Sequence, residues 1–267
     1  MDYNEVRRER KDEAGEMKQT IILWVSAIII VFIVSFAQHI RSNEFPISGT
    51  IDLGSGNVSY DFDRVVHTKN GYRVIIASDI KDMSGKLYWR TAEDSVWNST
   101  ALIDSGNIFY AMIPAQEPRT KIFCRVKLLY NGKNYLLPVK RAADITFYKS
   151  IPDEIFQFYY ITLFAGLILG VRTALEAFNE KSKMKKLSVF TAISFFSFTF
   201  VFSTVKKGVE IGAVGGGGVP LSDIFDLRGI LLFAVSVITM ILIVNSRRRR
   251  IWAVAGAVVL LLVFLGA

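Results

Sequence analysis

The carboxylates Asp223 and Asp226 lie three residues apart at the end of a glycine-rich stretch, Gly212 to Arg228, and are followed closely by Arg228. On a helix they share one face, where a carboxylate pair can contact a cation or divide the roles of acid and base. No third ligand lies nearby in sequence, so the pair alone makes an incomplete metal site. Ser222 or Asp223 is instead expected to cap the helix that follows, and Arg228 to pair with one of the aspartates. Arg172 and Glu176 form a second set, four residues apart on one helical face and close enough to pair. At the end of an apolar run such a pair either fixes the depth of the helix or marks a functional site. Asp153 and Glu154 follow Pro152, which suits a first helical turn; their charge then meets the positive end of the helix dipole. The run Gly215–Gly218 lacks the spacing of a phosphate-binding loop, because no Lys-Ser or Lys-Thr follows it. His39, His67 and Cys124 are too few and too scattered for a structural zinc site. No catalytic, cofactor-binding or metal-ligating residue is assigned, and no cofactor is expected.

The elements that must carry these groups are set by hydrophobicity. Of 267 residues 51% are hydrophobic, and they cluster in long uncharged runs. A helix crossing a bilayer needs about 20 mostly apolar residues. Thr20–Gln38, Ile155–Val171, Leu187–Val205, Gly229–Ser246 and Ile251–Ala267 each approach or meet that length without an internal charge. The formal charge of +8 would suggest nucleic acid in a soluble chain, but much of the excess sits at the ends of these runs. That placement reads as membrane topology, and nucleic acid is not expected as a partner.

Lys and Arg favour the cytoplasmic side. Arg7, Arg8, Arg10, Lys11 and Lys18 precede the first run; Arg172, Lys181, Lys183, Lys185 and Lys186 follow the second; Arg247–Arg250 follow the fourth. The organisation expected is therefore a cytoplasmic segment 1–19, a first span 20–38, an exported domain 41–152, a second span 153–178 and a third 187–205. An exported glycine-rich loop 206–228 leads to a fourth span 229–246 and a fifth 251–267, in the inner membrane of the cell, with the C-terminus outside. Ser35-Phe36-Ala37 resembles a signal-peptidase site, but the apolar stretch exceeds a usual signal core, so an uncleaved anchor is expected.

Between Arg41 and Pro152 the pattern becomes short and alternating, as in an antiparallel sandwich. Strands are predicted at Tyr72–Ala77, Lys86–Thr91, Val96–Leu102, Ile108–Ile113, Lys121–Tyr130, Lys133–Val139 and Ile145–Tyr148. Asn131-Gly132 carries the signature of a type I′ hairpin turn. Ile122, Cys124, Val126 and Leu128 share one face of their strand, which makes Cys124 a small core residue. The fold class is thus a helical transmembrane bundle of five spans with an all-β sandwich inserted between spans 1 and 2.

The segments Leu87–Thr91, Trp97, Phe109–Pro114 and Lys121–Val126 resemble fibronectin type III and related immunoglobulin-like modules. The resemblance implies a binding or spacing module and transfers no catalytic residue. Trp89 and Trp97 are expected in its core. Asn57-Val58-Ser59 and Asn98-Ser99-Thr100 match the glycosylation sequon, a motif short enough to recur by chance. Pro152, Arg172-Thr173, Leu175-Glu176 and the loop carrying Pro220, Asp223 and Asp226 together resemble an uncharacterised bacterial family of polytopic membrane proteins with an exported sandwich. That family is pictured with a His near the start of span 2, where this chain has Gln157 and Tyr159.

Three functions compete. A non-enzymatic accessory or interaction subunit would present the sandwich outside and dock other membrane or extracytoplasmic proteins. A membrane enzyme would use Asp223, Asp226 and Arg228 at the outer face. A channel or transporter component would need ionisable groups at mid-depth, which the runs lack. The first is favoured, with the bilayer and other proteins as partners.

Overall fold

The computed structural model describes residues 3–41, 46–67, 70–80, 82–179, 182–213 and 221–266. These form two compact units, one helical (3–41, 152–207, 221–266) and one mainly β (46–151 with 208–213).

The helical unit runs α1 (Tyr3–Arg41), α2 (Asp153–Leu175) with a 3-10 turn at Glu176–Phe178, then α3 (Met184–Ser197). A π-helical segment, Phe198–Ser203, joins α3 to α4 (Thr204–Glu210); α5 (Leu221–Ile224), α6 (Leu227–Asn245) and α7 (Arg249–Gly266) follow. Five stretches are long and apolar enough to cross a membrane: Gly15–Arg41, Asp153–Phe178, Met184–Glu210, Leu227–Asn245 and Arg249–Gly266. α1 begins well before the apolar run expected from Thr20, because the preceding segment is rich in Glu, Arg, Lys, Met and Ala, all strong helix formers. α3, the π segment and α4 likewise outlast the predicted Leu187–Val205 at both ends.

The core of this unit joins Ala27 and Val31 of α1 to Leu163, Leu167 and Val171 of α2, with Phe195, Phe198, Leu232, Leu260 and Phe264. Small residues let the helices approach closely. A Cβ on Gly166 would meet the Phe195 ring at 2.9 Å, and one on Gly256 would overlap the Thr239 side chain. At the α6–α7 turn the Ser246 hydroxyl accepts from the Arg248 N–H at 3.0 Å and from Trp252 Nε1 at 3.2 Å.

The β unit contains β1 (Ile47–Asp52), β2 (Asn57–Phe62), β3 (Val65–His67), β4 (Tyr72–Ser78), β5 (Ser84–Thr91) and β6 (Asn98–Ala101). These are followed by β7 (Ile103–Asp104), β8 (Ile108–Ile113), β9 (Lys121–Tyr130), β10 (Lys133–Leu137) and β11 (Ala143–Tyr148). One sheet has the order β1-β2-β4-β8-β7; the other is β3-β11-β9-β5-β6, with β10 also paired to β9. Every pairing is antiparallel except β3 with β11. Alternation turns Val58, Phe62, Val74, Ile76 and Phe109 of the first sheet, and Leu87, Ile122, Val126, Ile145 and Phe147 of the second, into one shared core. Each large apolar side chain buried there contributes about 1.5–3 kcal/mol.

Asn131 and Gly132 both take positive φ, 47° and 72°, at the turn from β9 to β10. β1, β2 and β3 were absent from the sequence expectation. β1 alternates only between exposed and half-buried positions, so its apolar face is thin, and the Tyr60 ring covers Gly49 where a larger residue would clash. The predicted strand Val96–Leu102 is instead the short β6 and β7, interrupted at Leu102, whose N–H turns to the Gly85 carbonyl at 2.9 Å. Trp89 packs against the core, but Trp97 is 41% exposed, which overturns its core assignment.

Candidate functional site

Arg172 and Glu176 meet at the end of α2, with Arg172 NH2 2.6 Å from Glu176 Oε1. Both residues are buried within the helical unit, only 2% and 1% exposed. The 3-10 turn swings Glu176 inward, where Oε2 accepts from Asn179 Nδ2 and from the Lys183 backbone N–H, each at 3.1 Å. One carboxylate therefore ties α2, its terminal turn and the start of α3 together. Arg172 lies with its guanidinium carbon 5.6 Å from the Trp24 ring centroid of α1, while Nε and NH1 are buried without a hydrogen bond. Sequence spacing pointed to Arg172 and Glu176 but not to Asn179, Lys183 or Trp24, which converge only through the fold.

On the face of α2 bearing Gly170 and Thr173, a cavity of about 10 Å³ is lined by Thr173, Ser188, Thr191, Ser236 and Thr239. That is about the room one water needs. Thr173, Ser188, Thr191 and Ser236 donate to carbonyls of their own helices at 2.7–2.9 Å, as polar residues in apolar helices do. Their lone pairs are left for the cavity, which thus suits a hydrogen-bond donor such as water. Sequence reasoning missed this group because single Ser and Thr residues within apolar runs carry no local signal.

The α6 N-terminus departs from expectation. Asp226, rather than Ser222 or Asp223, is the cap, its carboxylate accepting from the Arg228 N–H at 3.2 Å. Arg228 pairs with neither aspartate: its NH2 donates to the Phe264 carbonyl near the end of α7, and its guanidinium lies 4.5 Å from the Phe264 ring centroid. Pairing with a carboxylate was expected from charge alone, but the free carbonyl of a neighbouring helix end is a suitable acceptor within reach. Asp223 lies in α5, half-buried. Gly215–Gly218 and Pro220 fall outside the described residues. Asp153 and Glu154 occupy the exposed first turn of α2 and, among the described residues, make no ion pair. Also among the described residues, no three His, Cys, Asp or Glu side chains converge as metal ligands.

In the β unit, burial pushes the Cys124 thiol up to about 12, which keeps it protonated and inert. Burial and then the Asp61 charge raise the Asp63 carboxyl, despite its contact with Tyr72. Burial also opposes ionisation of Asp144, yet its hydrogen bonds to Lys121 and its own N–H, with the Lys121 and Arg64 charges, hold it below the usual carboxylate range.

The outward face of the first sheet carries a contiguous apolar strip. β8 exposes Ile108 and Met112 on either side of Tyr110; Ile75 of β4 and Ile103 of β7 lie directly across from Tyr110. Arg73 folds over the Tyr110 ring, 3.8 Å from its centroid.

No protein-family model matches this chain, and no curated protein is significantly similar to it. The likeness to fibronectin type III modules accordingly extends to a two-sheet, sandwich-like architecture between the first and second apolar helices.

Proposed function

We propose that this chain is a five-span membrane protein with a cytoplasmic N-terminus and an extracytoplasmic sandwich, serving as a non-enzymatic interaction subunit of a membrane complex. The observation that carries the reading is the apolar strip of Ile75, Ile103, Ile108 and Met112, each more than two-fifths exposed on an otherwise ordered sheet face. Contiguous apolar side chains of this kind on a water-facing domain mark protein contact. The enzyme reading loses ground because Asp226 is engaged as a helix cap and Arg228 with a backbone carbonyl.

The test is site-specific photocrosslinking in native membranes, with benzoylphenylalanine replacing Ile75 or, as a control, Lys133 at the exposed start of β10 in the other sheet. An adduct of defined mass is expected from position 75, absent from position 133 and lost when Ile108→Asp is added. A chain that crosslinks to nothing from position 75, and leaves mild detergent as a lone monodisperse species, would remove this reading.

A further inference from the structure

The second sheet turns a chemically different face outward. Along β9, Lys121, Phe123, Arg125 and Lys127 alternate with buried Ile122, Cys124 and Val126; along β5, Lys86, Tyr88 and Arg90 point the same way. The register sets Lys86 opposite Lys127, Tyr88 opposite Arg125 and Arg90 opposite Phe123. Successive rows are therefore about 6.8 Å apart along the strands, each holding at least one cation, with an aromatic ring in two of the three.

This arrangement is costly to the isolated sheet. Like charges directly across an antiparallel pair repel, and the Lys86–Lys127 pair sits at the centre of the sheet. Asp144 is already held by Lys121 at 3.3 Å and Arg64 at 3.7 Å. Among the described residues, Lys86, Arg125 and Lys127 make no ion pair, and the Arg125 Nε is buried without a hydrogen bond. Arg90 is oriented by the carbonyls of Thr91 and Asp94 and lies between the Trp97 and Phe123 rings, 5.4 and 5.2 Å from their centroids. Asp144, across from Phe123, is thus taken up by its own partners, while Lys86, Arg125 and Lys127 have no anion among the described residues, and their geometry specifies which kind fits.

We infer that this face binds a linear phosphodiester polymer laid along β5 and β9, one phosphate per row of side chains. In poly(glycerol phosphate) one repeat contains as many backbone bonds as two residues of a strand, so an extended chain keeps step with the rows. The guanidinium and ammonium groups take the phosphates. Tyr88 and Phe123, half-buried among the cations, give the uncharged linkers apolar surface. A bilayer surface fits less well, because its phosphates are spread in two dimensions and have no repeat along one line to match rows about 6.8 Å apart. The inference uses the sheet opposite the apolar strip and stands or falls independently of protein docking there.

Full-length protein in neutral detergent is titrated with poly(glycerol phosphate), with charge-matched single-stranded DNA, and with phosphatidylglycerol vesicles, which carry the same headgroup chemistry on a surface. Tightest binding to the polymer is expected. The logarithm of its affinity should fall with that of salt at a slope of about −2, for three phosphates neutralised, one per row, at the coefficient of a single strand. Lys86→Glu is the decisive variant: facing Lys127 it replaces repulsion by attraction, so the melting temperature should rise while polymer affinity drops at least tenfold. Arg73→Ala, on the other sheet, should leave binding unchanged. Unaltered polymer affinity in Lys86→Glu, or tighter binding to the vesicles or the DNA than to the polymer, overturns the proposal.

Discussion

Glu176 is the residue on which the α2–α3 end of the helical unit turns, since its two oxygens serve Arg172, Asn179 and the Lys183 N–H together. Breaking a buried pair from one side leaves an uncompensated charge, a loss of about 3–5 kcal/mol. Glu176→Ala should therefore lower the melting temperature of detergent-solubilised protein by several degrees. Arg172→Met with Glu176→Gln, which removes both charges and keeps the volumes, should recover most of the loss. Equal melting of Glu176→Ala and the wild type would show that the pair is not a structural tie. At this scale the sequence was half legible. The four-residue spacing exposed Arg172 and Glu176, and β alternation placed Cys124 in the core. Asn179 and Trp24 were invisible because their contacts are made across a turn and between helices. Arg228 was misread because charge pattern ignores backbone acceptors at neighbouring helix ends.

Between elements, α6 and α7 approach where Gly256 faces Thr239, with no room for a Cβ unless the threonine moves. Gly256→Ala should destabilise the protein, and Thr239→Ser in the same chain should restore part of the loss, because it deletes the methyl, one of the two Thr239 groups that clash, and frees the hydroxyl to rotate away. A coupling energy of about 0.5–3 kcal/mol in the double-mutant cycle is the signature of contact; strict additivity would mean the helices do not meet there. The apolar runs revealed these helices because their outward-facing and core-facing residues are both apolar, so existence and approximate extent were encoded in composition. Which faces pack was not, since exposed Ile and Val look the same as buried ones. In the β unit, β9 and its hairpin were plain from strict alternation and Asn131-Gly132. β1 was not, because Ser48, Gly49 and Thr50 dilute its pattern and its partner Tyr60 supplies the missing bulk.

For the whole molecule, the orientation inferred from basic residues can be tested with little preparation. The chain's single cysteine is buried and held protonated, so Cys124 provides a silent background for added thiols. In intact cells, a membrane-impermeant maleimide should label Ser105→Cys, in the exposed turn between β7 and β8, and should label Arg248→Cys only after permeabilisation. The reverse pattern would invert the topology and put both sheet faces in the cytoplasm.

The π-helical segment Phe198–Ser203 gives the long α3–α4 helix two rotational phases. A wider turn absorbs one residue more than an α-helix, and each added residue displaces everything after it by about 100° around the axis. The buried stripe accordingly passes from Phe195 and Phe198 to Ser203 rather than to Phe202, which turns outward to stack on Phe158 at 5.4 Å. A helical wheel drawn through the whole stretch at uniform pitch is right for its first half and out of phase for its second. The two halves of this one helix thus answer to different neighbours, and substitutions on either side of the segment cannot be compared by position around a single axis.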